Sequence, residues 1–167
     1  MNLYVLRHAI AVEPGTAGFE DAQRELTSEG AAKMTRIARG MLTLDLQFDL
    51  ILASPYIRAR QTADIVAEAF NARDKLRFTE NLTPSGDGEQ VILEINKRHR
   101  KNENILMVGH EPLLSSLIAI LISGDPTLSI VLKKGGLCRL VTTTLVYGRC
   151  ASLEWLLFPS QMAQLGR

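Results

Sequence analysis

The chain has 167 residues, which fits one domain able to bury a proper core. Apolar residues make up 46% and charged residues 22%, the balance of an ordinary soluble globular protein. The formal net charge of +1 argues against a general nucleic-acid or membrane-surface binder, while leaving room for a local basic pocket.

The first predicted element is the apolar run Leu3 to Leu6, which suits a strand buried on both faces, as in a parallel sheet. It ends in Arg7 and His8, and the carboxyl ends of such strands are where ligand crevices form. The residues before Arg7 are too few for a signal-peptide core. A loop from Ala11 to Gln23 follows, with Pro14, Gly15 and Gly18. Thr27 is placed to cap the next helix, with Glu29 in its positive first turn. Met34, Ile37, Ala38, Met41 and Leu42 give that helix an apolar stripe. A second strand, Leu50 to Ala53, runs into Ser54 as cap and Pro55 as first helical residue. Thr62, Ile65, Val66, Ala69 and Phe70 mark one face of the helix that follows.

Leu76 to Thr79 reads as a short strand, and Leu82 to Gly88 as a loop dense in turn residues. Val91, Ile92 and Ile95 mark a third helix whose charged tail, Lys97 to Lys101, suits the negative end of the helix dipole. His99 sits in that tail and is assigned no role. Ile105 to Val108 is another buried-type strand, ending in Gly109-His110-Glu111-Pro112. Pro112 suits a helix start, and the run Leu113 to Ile122 is apolar nearly all round yet too short to span a bilayer. Beyond Leu128, β-type runs lie near Ile130, from Leu137 to Leu145 and from Ser152 to Phe158, with a hairpin at Gly148. Cys138 and Cys150 read as buried reduced thiols, with a disulfide the minor alternative. Strand-like and helical patterns alternate, so the expected fold is α/β: one domain over residues 1–167, a largely parallel sheet and flanking helices.

Three strand-to-helix junctions then carry unusual polar residues: Arg7-His8, Ser54 to Arg58, and Gly109-His110. In a parallel sheet these junctions share one edge, so two imidazoles and two guanidiniums converge beside two helix amino termini. Taken singly, each residue is more often a surface cation or a satisfied polar group. Together they suit a dianion, most naturally a phosphoryl group, whose oxygens match the planar guanidinium fork. Nearby guanidiniums disfavour the imidazolium, so His8 is expected to be neutral and able to act as a nucleophile. Attack on phosphorus would give a phosphohistidine that water hydrolyses, with Arg7, Arg58 and His110 holding the equatorial oxygens. No metal and no cofactor is called for, since no carboxylate cluster or Cys/His spacing suits one.

These residues resemble a known family. Arg7-His8-Ala9 resembles the Arg-His-Gly or Arg-His-Ala signature of the histidine phosphatase superfamily, the phosphoglycerate mutase-like proteins. Ser54 to Ala63 resembles its second motif, in which the Arg binds phosphate, and Gly109-His110 resembles its third. The short chain leaves little room for an inserted lid. Asp21 to Gly30, with its Arg-x-Leu-Thr-x-x-Gly pattern from Arg24, is similar to the small bacterial phosphohistidine phosphatases of SixA type. So are Leu82 to Asp87 and Gly109 to Pro112. The resemblance implies that His8 accepts the phosphoryl group, with Arg7, Arg58 and His110 around it. Arg24 is either a further rim residue or a loop anchor paired with Asp21 or Glu20.

One departure bears on the substrate. Phosphomonoesterases and mutases of the superfamily supply a carboxylic acid to protonate an alcohol leaving group. Here Asp87, Glu89 or Glu111 would have to serve, and helix capping explains each equally well. A missing acid costs roughly 10²–10⁴-fold on an alcohol ester. It costs far less on a phosphoramidate, whose imidazole leaves readily. The expected function is therefore a phosphohistidine phosphatase acting on a phosphorelay or phosphotransfer protein. Alternatives are a small-molecule phosphomonoesterase on the same scaffold and a phosphate-recognising module without turnover. A monomer in the cytoplasm, without nucleic-acid or membrane partners, is the expected setting.

Overall fold

The computed structural model describes residues 1–98 and 104–167. His99 and the end of the basic tail, residues 99–101, lie outside the described residues. Six strands form one sheet: β1 (Asn2–Arg7), β2 (Leu50–Ala53), β3 (Leu76–Phe78), β4 (Asn104–Gly109), β5 (Leu137–Thr142) and β6 (Ala151–Leu157). The helices are α1 (Ser28–Thr43), α2 (Ile57–Ala69), α3 (Gly88–Arg98), α4 (Leu113–Ser123) and α5 (Pro159–Leu165). The strand order is β3-β2-β4-β1-β5-β6. The first four strands in that order run parallel, while β5 and β6 are antiparallel to their neighbours. The expected α/β class holds, and the sheet is mixed because the Gly148 hairpin joins its last two strands directly.

The alternation of side chains along each strand divides the core in two. Tyr4, Leu6, Ile51, Ala53, Leu106 and Val108 face one side, against α1, α2 and α5. Leu3, Val5, Leu50, Leu52, Ile105 and Met107 face the other, against α3 and α4. Strands covered on both faces must be apolar at every position, which is why β1, β2 and β4 read as unbroken runs.

Thr27 caps α1 as expected, accepting from the Gly30 amide at 3.0 Å. A Cβ on Gly30 would collide with the Ile10 carbonyl, so a glycine lets the helix start press against the loop that follows His8. Met34, Ile37, Ala38 and Met41 are buried, but Leu42 is 46% exposed, since it lines an open groove between α1 and α2 with Ile65 and Ala69. Helix α2 starts at Ile57 rather than Pro55, with Tyr56 at its cap position; the Ser54 hydroxyl accepts from the Tyr56 amide at 3.3 Å just before the helix and also meets His110. In the same way Pro112 is the cap of α4 and Leu113 its first residue. The run around Ile130 forms no strand: β5 occupies the place beside β1, leaving 130–136 as a loop. Cys138 and Cys150 are free thiols, Cys138 buried as expected and Cys150 only half-buried. Among the described residues no helix is long and apolar enough to cross a membrane.

Candidate active site

The register of three parallel strands brings the site together. Arg7 of β1 pairs with Gly109 of β4, and Val108 of β4 with Ala53 of β2. His8, His110 and Ser54 therefore leave the sheet at the same level. Backbone bonds continue the ladder past the strand ends, His8 N to Gly109 O at 3.0 Å and Ser54 N to Val108 O at 2.9 Å. The two imidazoles stand side by side with ring centres 5.0 Å apart. Arg58 reaches them from the first turn of α2, which is tied to the loop through Thr62: its hydroxyl accepts from Ala9 N at 3.0 Å and donates to Arg58 O at 2.7 Å.

His8 and His110 are both buried, at 5% and 1% exposure. Burial is the main reason His8 stays neutral, lowering its pKa to about 3; Arg58, Arg7 and Lys134 push it down further, against a bond to the Ala9 carbonyl. His110 is lowered to about 2, again by burial first and then by His8, Arg58 and Arg24. The guanidiniums invoked from sequence thus act in the expected direction, but desolvation dominates. The His8 tautomer follows from its partners. Nδ1 lies 2.8 Å from Ala9 O, which can only accept, so Nδ1 carries the proton. Nε2 keeps its lone pair, and the Arg58 Nε–H points at it from 3.4 Å.

Arg7 and Arg58 differ in how they are held. Arg7 donates from Nη1 to Leu132 O at 3.0 Å, while its buried Nε has no partner. His110 likewise bonds Ser54 Oγ at 2.9 Å through Nε2 and leaves a buried Nδ1 without one. Arg58 is committed to Asp21, donating to its backbone carbonyl and, at 3.1 Å, to Oδ2. Burial lowers the pKa of both arginines, opposed by Glu111 at Arg7 and by Asp21 at Arg58. A neutral imidazole whose Nε2 lone pair meets only a long bond from Arg58 at 3.4 Å, ringed by guanidiniums and unmatched polar atoms, can hold a tetrahedral anion and present a nucleophile to it.

The remaining candidates separate. Arg24 is the loop anchor of the two readings: Nε and Nη2 grip Asp21 Oδ1 at 2.9 and 2.8 Å, and Nη1 donates to Val12 O at 2.6 Å. Asp87 is an exposed cap of α3, its Oδ1 accepting from Glu89 and Gln90 amides at 2.8 and 3.3 Å. Glu111 accepts from the Ser115 amide at 3.1 Å in the first turn of α4, and its charge is felt by Arg7. Among the described residues no three His, Cys, Asp or Glu side chains gather as a metal site. Sequence reasoning gave Asp21 no role beyond partnering Arg24, although its carboxylate joins both arginines. The same reasoning passed over Lys134, which a Lys-Lys-Gly-Gly stretch before a strand would mark only weakly.

Comparison with known proteins finds relatives in sequence and in fold. The model of the histidine phosphatase superfamily (branch 1) matches residues 3–83. The chain is 32% identical over 128 residues to the phosphohistidine phosphatase SixA homolog of Haemophilus influenzae, covering 71% of this chain and 76% of that one. It is 26% identical over 126 residues to the phosphohistidine phosphatase SixA of Escherichia coli, covering 75% and 76%. The structure of the protein histidine phosphatase SixA complexed with tungstate superposes with a TM-score of 0.80 at 24% identity, over 97% of this chain and 99% of that one.

Proposed function

Since the chain belongs to the histidine phosphatase superfamily and is of its SixA type, we propose that it hydrolyses phosphohistidine on a partner protein, through a covalent phosphoryl group on His8. As a member of that superfamily it is a phosphatase, a hydrolase. The proposal takes residues 1–167 as one catalytic domain, and a phosphorelay or phosphotransfer protein in the cytoplasm as its partner.

The observation that carries the reading is the lone pair on His8 Nε2 set among buried polar atoms with no protein partner, Arg7 Nε and His110 Nδ1. A phosphoryl group in line with Nε2 satisfies them. The Arg7 Nε–H donates to one oxygen. With the Ser54 hydroxyl donating to His110 Nε2, the His110 Nδ1–H donates to another. Arg58 turns from His8 toward the charge that gathers on the oxygens. The P–N bond of a substrate ring protonated on its other nitrogen breaks as the bond from His8 Nε2 to phosphorus forms, and the substrate leaves as neutral imidazole with the electron pair. Water then attacks phosphorus and restores His8. No step needs a strong acid, because imidazole leaves well. Asp87 and Glu111 remain as helix-terminal caps.

A second reading, a phosphomonoesterase, is favoured by one observation. Glu111 directly follows His110, and its charge partly offsets the burial that lowers the Arg7 pKa, so a carboxylate lies beside the pocket.

The test is turnover of a phosphohistidine-bearing protein beside a panel of phosphate monoesters, for wild type and His8→Ala. Preference for the P–N substrate, abolished by His8→Ala, is expected. Preference for a monoester, reduced by Glu111→Gln, would move the assignment to the second reading.

A further inference from the structure

The four side chains around the phosphoryl position leave out one cation at the mouth of the site, Lys134. Its backbone is fixed to the reactive dipeptide. The Gly135 amide donates to both Arg7 O and His8 O, at 3.0 and 3.2 Å. The Arg7 amide donates to Gly136 O at 3.2 Å, and Arg7 Nη1 to Leu132 O at 3.0 Å. Residues 133–136 form a tight turn closed by Gly136 N to Lys133 O at 2.6 Å, with Gly135 at φ +78° in the third position. Lys134 occupies the projecting second position of that turn.

Its neighbour is committed elsewhere: the Lys133 ammonium packs over the Phe158 ring, 4.7 Å from its centre. Lys134 stands on the turn that is bonded to Arg7 O and His8 O, near enough for its charge to be felt at His8. Its ion-pair partner is Glu13 on the β1–α1 loop, with Nζ to Oε1 at 3.7 Å, beyond a good hydrogen bond. Both side chains reach solvent, at 32% and 74% exposure, so the pair holds weakly. A flexible ammonium on a rigid stem, loosely held by one carboxylate, is easily drawn to a stronger anion nearby.

We propose that Lys134 is a further anion-binding residue of this site, exchanging Glu13 for the phosphoryl group brought to His8. The proposal rests on the phosphoryl pocket described above. Glu13 then acts as a competitor that keeps the cation at the mouth until a dianion arrives.

Binding of inorganic phosphate, measured by calorimetry on the full chain, separates the possibilities. Lys134→Met is expected to weaken phosphate about fivefold, Lys134→Arg to recover most of that, and Glu13→Gln to tighten it about twofold. Far-UV circular dichroism and melting temperature, unchanged in all three, exclude a folding defect. Wild-type affinity in Lys134→Met would overturn the role of Lys134 and leave the pocket standing. Equal weakening by Glu13→Gln would overturn it too, assigning the pair to holding the loops together. Failure of wild type to bind phosphate at all would overturn the pocket, and this proposal with it.

Discussion

Two neutral histidines side by side, both under guanidinium influence, make the site sensitive to acid. Each imidazole is buried in the folded protein with its pKa depressed, to about 3 for His8 and about 2 for His110. In the unfolded chain each returns to about 6.5. The unfolded state then binds more protons, so the stability these groups permit is present above pH 6.5. It is lost as pH falls from there toward 3. At pH 5 the loss is about 2 kcal/mol per histidine. Urea unfolding at pH 7.5 and pH 5 is expected to show that loss, and His8→Gln to reduce it by about half. Equal acid sensitivity in wild type and variant would mean that His8 is protonated in the fold.

At the scale of elements, the site depends on loops locked to strand ends. The turn at 133–136 is one such lock, and Gly135 is the residue that lets it close. A side chain there would adopt φ +78°, and its Cβ would sit 3.0 Å from Ile37 Cδ1. Gly135→Ala is expected to cost about 1–2 kcal/mol in denaturant unfolding. It should also lower turnover, because the turn anchors Arg7 and His8. Gly148→Ala makes the useful contrast. No atom lies within 4 Å of a Cβ there, and a change within about 0.5 kcal/mol is expected. Similar costs at both positions would show that the Gly135 geometry does not matter.

For the whole molecule, one sheet serves two cores, so the two layers stand or fall together. Leu106 is fully buried in β4, the strand that joins the β2–β3 half of the sheet to β1. Leu106→Ala should cost about 2–5 kcal/mol. Loss of circular dichroism and loss of phosphate binding should follow one coincident transition. Two separated transitions would show that the halves fold independently and would count against one domain over residues 1–167.

Much of this protein was legible before the fold. Unbroken apolar runs announced β1, β2 and β4, because strands covered on both faces tolerate no polar residue. Their polar ends marked Arg7, His8, Arg58 and His110, because parallel strands carry their carboxyl ends to one edge. Other features depend on contacts between residues far apart in the chain, which periodicity does not encode. Ser54, beside the start of α2, also meets His110 across 56 positions. Asp21 joined Arg24, three residues away, to Arg58, 37 residues away. The run at Ile130 formed no strand because β5 already filled the place beside β1. The sequence by itself determined the chemistry of the strand ends, since residue type and hydrophobic pattern are local. Tertiary structure alone decided that burial, more than the guanidiniums, keeps His8 neutral, and it set the partners of Arg58 and the position of Lys134, since burial and long-range pairing exist only once the chain has closed.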